Sequence, residues 1–79
     1  MIIMKKVSVD SEKAVYKYFV EGNQREYGVV EQSMDTSKMP IIVKSDGDSW
    51  QAYRNHAIRS IHTFVSEKNY PDQKTIAWY

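Results

Sequence analysis

The sequence predicts an α+β domain: a mostly antiparallel sheet of three to five strands with one long amphipathic helix packed on one face, in the order β-β-β-α-β. Three observations lead there. Apolar residues recur at helical spacing between Trp50 and Val65. Short runs rich in β-branched and aromatic residues lie on both sides of that stretch. Glycine, proline and asparagine punctuate the joints between them. A single helix laid over one face of a sheet lets both elements bury their apolar sides.

At the start, Ile3, Val7 and Val9 sit at alternate positions while Lys5 breaks the apolar set. The segment from Met1 to Val9 reads either as a further strand before a turn at Asp10-Ser11 or as a poorly ordered start. Val15-Tyr16-Lys17-Tyr18-Phe19-Val20 and Tyr27-Gly28-Val29-Val30 read as a β-hairpin. Gly22-Asn23 suits a two-residue type II′ turn between them. That turn sets Tyr18 opposite Tyr27 and Tyr16 opposite Val29 on the expected core face. Lys17, Phe19, Glu21, Glu26 and Gly28 take the other face, and a four-residue loop is expected to keep the same faces.

Glu31 to Lys38 is polar without either period and reads as a loop. Pro40-Ile41-Ile42-Val43 is a short strand whose first residue tolerates proline. Ser45-Asp46-Gly47-Asp48 turns the chain into the helix. Asp48 is the expected N-cap and Gln51 the second half of a capping box. Trp50, Tyr53, Ala57, Ile58, Ile61, Phe64 and Val65 form the stripe, with Gln51, Asn55, Arg59, Ser60, Thr63 and Ser66 opposite. Asn69 is expected to close the helix in the left-handed conformation, with Tyr70 packing back on Val65 and Pro71 preventing continuation. Thr75 to Tyr79 is the final strand, with a right-handed crossover if it lies parallel to the strand before the helix.

With 79 residues and 42% hydrophobic content, one small domain spanning the chain is expected. The absence of cysteine removes disulfides, thiolate metal sites and thiol nucleophiles. Met1 to Lys6 is too short for a signal peptide, and no apolar run approaches the roughly 20 residues of a membrane span. The expectation is a soluble, cytoplasmic protein with no membrane partner. Net charge is +1, which supplies no whole-molecule attraction to nucleic acid.

No constellation of residues asks for catalysis, a cofactor or a metal. Counting a calcium loop from Asp46 puts Gln51 and Ala57 where glycine and glutamate are needed. His56 and His62 point about 120° apart on a regular helix, so one metal cannot take both. No serine sits in a glycine-flanked elbow beside a histidine. The chain is therefore expected to be no enzyme, with no evident small-molecule substrate.

Arg54 falls near the middle of the apolar stripe, where its stem can lie over the sheet and its guanidinium can reach solvent or a carboxylate such as Glu31. Trp78 and Tyr79 point to opposite faces of the last strand, so one of them lies on the outer face. The leading functional expectation is protein–protein contact, with self-association as a homodimer the simplest form. The outer sheet face and the C-terminal strand are the expected contact region, with Trp78, Tyr79, Arg54 and Arg59 the expected contact residues. The alternative is a weak nucleic-acid-binding module using Arg54, Arg59 and Lys44. Nucleic acid is disfavoured as a partner, because the hairpin's aromatics are expected under the helix.

Overall fold

The computed structural model describes residues 2–20, 27–44 and 51–77, with backbone alone at 51 and 52. Five strands and one helix follow in the order β1 (Ile2–Val9), β2 (Lys13–Val20), β3 (Tyr27–Ser33), β4 (Ile41–Lys44), α1 (Gln51–Glu67) and β5 (Gln73–Ile76). The strands form one sheet in the order β4-β3-β2-β1-β5, and every neighbouring pair is antiparallel. The α+β class and the helix laid on one sheet face are as the sequence predicts. The element order gains one strand, β1, at the front.

β1 resolves the ambiguous start. Its buried residues are Ile2 and Met4, not the Ile3, Val7 and Val9 set. The ladder with β2 shifts between Lys6 and Ser8, which leaves Val7 as an extra residue. Such a bulge reverses the parity of the strand. Ile2 and Met4 therefore share the inner face with Val9, and no single alternation could be read across all nine positions. Asp10 closes the β1–β2 connection, its Oδ1 accepting from the backbone N–H groups of Glu12 at 2.7 Å and Lys13 at 2.9 Å.

The β2–β3 register corrects the hairpin expectation. Tyr18 faces Gly28, Tyr16 faces Val30 and Phe19 faces Tyr27. Relative to a two-residue turn this is a shift of one position, and one position turns a strand over. Gly28, Val30 and Gln32 thus point to the core while Tyr27 and Val29 point away. The turn residues Gly22 and Asn23 lie outside the described residues. The selecting contact is visible nonetheless. The Tyr18 ring lies over Gly28 so closely that any Cβ there would meet its ring atoms.

β3 also runs on through Glu31, Gln32 and Ser33, which the sequence reads as loop. Gln32 is fully buried because its amide nitrogen donates to the carbonyls of Ser33 and Lys38, both at 2.9 Å. A polar side chain can face a core when its donors are met, and here the second bond ties Lys38 back to β3. Asp35 organises that segment, accepting from the Ser37 hydroxyl at 2.6 Å and the Ser37 N–H at 3.1 Å.

The core lies between α1 and the inner sheet face. Ala57, Ile61, Phe64 and Val65 are buried with Ile2, Met4, Ala14, Tyr16, Tyr18 and Val30, and the rings of Tyr16 and Phe64 are 5.1 Å apart. Ser60, expected on the polar side, is also buried, its hydroxyl donating to the His56 carbonyl at 2.7 Å. Trp50, Asp48 and the Gln51 side chain lie outside the described residues. At the other end Lys68, not Asn69, takes the left-handed conformation, with φ 54°. The N–H of Asn69 donates to the Phe64 carbonyl at 3.0 Å and that of Lys68 to the Val65 carbonyl at 3.2 Å. This is a Schellman closure, placed one residue earlier than asparagine's preference suggests.

β5 pairs with β1 at the margin opposite β4, so α1 carries the chain across the whole sheet and the parallel-neighbour condition for a right-handed crossover does not arise. The segment before β5 is fastened to the sheet. Tyr16 Oη donates to the Pro71 carbonyl at 2.7 Å, Lys6 Nζ lies 2.8 Å from Asp72, and Tyr70 Oη donates to Met34 Sδ at 3.3 Å.

Candidate interaction surfaces

With α1 on the inner face, the outer face of the sheet carries no helix among the described residues, and its composition follows from register. One row across the strands runs Thr75, Ile3, Phe19, Tyr27. The adjoining row runs Gln73, Lys5, Lys17, Val29, Lys44. Phe19 and Tyr27 are tilted against each other with centroids 5.6 Å apart. Lys5 Nζ lies 5.2 Å from the Phe19 centroid, and Lys17 and Lys44 Nζ lie 4.7 and 3.7 Å from that of Tyr27. Ammonium groups over ring faces are mutually attractive. Lys13 stands further along β2 beside Glu31, at 3.3 Å. Among the described residues the outer face carries four lysines and one glutamate, in a chain whose net charge is only +1.

The β4 margin is the second surface. Met39 is 81% exposed, Ile41 58% and Val43 57%. Beside them a groove of about 460 Å³ runs between residues 36–40 and α1, lined by Met39, Pro40, Ile58, Arg59, His62 and Thr63. His62 Nε2 sits 3.4 Å from the Thr36 carbonyl at its wall. A second, smaller groove of about 300 Å³ lies between α1 and β5, its lining including His56, Arg59, Phe64, Glu67, Lys74 and Ile76.

Of the contact residues predicted from sequence, Arg59 is exposed on α1 and borders both grooves, and Arg54 is half-buried on the same helix. Trp78 and Tyr79 lie outside the described residues. The basic trio of Arg54, Arg59 and Lys44 is not brought together, because Lys44 belongs to the outer face and the arginines to the helix on the inner one. Glu31 likewise points away from α1 and meets Lys13, which removes it as a partner for Arg54. The aromatics are divided between the faces: Tyr16 and Tyr18 lie under the helix while Phe19 and Tyr27 stand outside.

The outer rows were partly legible in the sequence. The alternation of Lys17 and Phe19 with Tyr16 and Tyr18 already places that pair outside. Tyr27, Lys5 and Lys44 needed the register and the strand order.

Tyr16 has the most displaced acidity among these groups. Burial pushes its phenol up to about 12, and the carboxylate of Asp72 and the neighbouring Tyr70 push the same way. Among the described residues no three His, Asp or Glu side chains gather as a metal site would need, and no helix is long and apolar enough to cross a membrane. No protein-family model, curated protein or solved structure matches the chain.

Proposed function

We propose that this chain works by protein–protein contact, associating with a second copy of itself through the β4 margin. The supporting observation is the clustering of exposed apolar side chains. Met39, Ile41 and Val43 are three of the four large hydrophobics exposed among the described residues. Such clusters mark contact surfaces more often than scattered exposed residues do. They stand beside the groove that Pro40 and Ile58 help to line. A protrusion next to a recess on one margin is what a two-fold contact needs, since each copy must offer both halves.

Side chains rather than backbone would make this contact. β4 is four residues long, its ladder with β3 shifts between Val29 and Val30, and it ends in Lys44. Short length, a bulge and a terminal lysine all disfavour strand addition. The opposite margin is polar, with Gln73, Lys74 and Thr75 exposed, and offers less to an apolar partner. The reading is of a binding module rather than an enzyme: the Ser60 hydroxyl is taken up by a backbone carbonyl and the two histidines border different grooves. A cysteine-free chain needs no oxidising compartment to fold, which suits a cytoplasmic setting.

Light scattering over a range of concentrations tests the proposal. The mass is expected to rise from monomer to dimer. Ile41→Glu combined with Val43→Lys is expected to hold it at monomer while leaving the circular dichroism spectrum and Tm nearly unchanged, since exposed substitutions shift stability by about 0.5 kcal/mol or less. A wild-type chain that stays monomeric up to its solubility limit overturns the proposal.

A further inference from the structure

We propose that the outer face of the sheet binds single-stranded nucleic acid, laid across the strands with its phosphates along the lysine row and its bases against Phe19 and Tyr27. The inference does not rest on self-association: of the residues it uses, only Lys44 belongs to β4.

The register carries it first. Lys5, Lys17 and Lys44 fall in one line over β1, β2 and β4, with Val29 of β3 between the last two. At about 4.8 Å per strand the line is about 14 Å long. Lys5 and Lys17 are directly opposite each other, an arrangement that destabilises a sheet. Nothing in the row relieves it, because its remaining members are Gln73 and Val29. The carboxylate described on this face, Glu31, stands one row away and is engaged by Lys13 at 3.3 Å. The ring contacts hold each ammonium group in place but leave its charge, and the repulsion along the row, unneutralised. An anionic chain lying along the row removes the repulsion.

The aromatic row selects the kind of anionic chain. Phe19 and Tyr27 adjoin the lysine row on the same face, 5.6 Å apart. In the unbound protein the lysine ammonium groups rest over those rings. Swinging them outward to phosphates frees ring faces for bases, so one movement supplies both contacts. Alternating phosphates and bases match a charged row beside an aromatic row, and every base has a face that can stack. A duplex keeps its bases stacked inside and would use only the lysines. An acidic polypeptide would likewise leave the ring pair without a role.

Fluorescence anisotropy with a labelled random single-stranded oligonucleotide, its duplex, heparin and polyglutamate tests the proposal. Single strands are expected to bind more tightly than the duplex and both other polyanions by about tenfold, the scale of one base stack. The slope of log K against log salt should be about −2 for three phosphates neutralised on a single strand. Lys17→Gln should reduce that slope by about 0.7. Phe19→Leu should leave the slope unchanged and weaken binding about tenfold. Amide chemical-shift changes should map to β1, β2 and β3 and spare α1. Equal affinity for duplex, heparin or polyglutamate would overturn the proposal in favour of a charge patch or an acidic partner. Absence of binding at low salt, or shifts confined to α1, would overturn it as well. Should Phe19→Leu fail to fold, the Lys17→Gln slope and the shift map still decide.

Discussion

Gly28 settles more of this structure than its size suggests. It is buried on β3 directly opposite Tyr18, whose ring occupies the space a side chain would need. With no Cβ at position 28 the phenol can lie flat across β3, and Tyr27 is free to turn outward. Gly28→Ala is expected to destabilise the protein by about 1–3 kcal/mol through overpacking, measured by urea denaturation. Trimming the ring with Tyr18→Ala should make the same glycine substitution much milder. A double-mutant cycle with no coupling between the two positions would contradict this account. Gln32 makes a related point. Its burial could not be read from residue type, because what permits it is a pair of carbonyls, one at the end of β3 and one on the segment that follows.

Among the elements, α1 was the most legible. Its buried apolar residues Ala57, Ile61, Phe64 and Val65 all belong to the predicted stripe, since helical periodicity is a local property that tertiary contacts reinforce. Its end was less so. Asn69 tolerates the left-handed conformation better than lysine does, yet Lys68 adopts it. The cause is where the last turn can donate: the N–H groups of Lys68 and Asn69 must reach Val65 and Phe64, which face the core. Lys68→Gly should relieve the strain of a side chain at φ 54° and stabilise the fold by about 0.5–1 kcal/mol after the added freedom of the unfolded chain is discounted. Thermal unfolding checks it, with a raised Tm expected. β1 and β3 were harder to read. A bulge at Val7 breaks the alternation of the first, and the polar triplet Glu31-Gln32-Ser33 disguises the end of the second. Of the outer surface, Lys17 and Phe19 were legible from alternation within β2. Lys5, Tyr27 and Lys44 reach it through pairings with distant segments that no local pattern encodes.

Across the whole molecule, one helix ties the two margins of the sheet together, and the junction after it is held by Tyr16, Lys6 and Tyr70. This makes the architecture sensitive to alkali. The Tyr16 phenol, ordinarily near 10, is pushed up to about 12 by burial and by Asp72. Below pH 10 both folded and unfolded chains keep the proton, and the stabilising contribution is complete. As pH rises from 10 through 12 the unfolded chain releases its proton first, so stability falls across that window. Denaturant midpoints measured through this range should fall, and Tyr16→Phe should flatten the fall while lowering stability at neutral pH through loss of the bond to the Pro71 carbonyl. Equal slopes for both proteins would show that Tyr16 is not the responsible group.

By itself the sequence determined the helix and its apolar stripe, the strand character of β2 and β4, and the α+β class, because each follows from propensity and period within a dozen residues. The tertiary structure decided which side of β3 faces the core, where β5 pairs, and which lysines share a face. The physical reason is the two-residue repeat of a strand. A one-position change in register, set here by the fit of Tyr18 over Gly28 and by the bulge at Val7, exchanges buried for exposed along an entire segment. Local composition does not contain that choice; it is made only when separate strands meet.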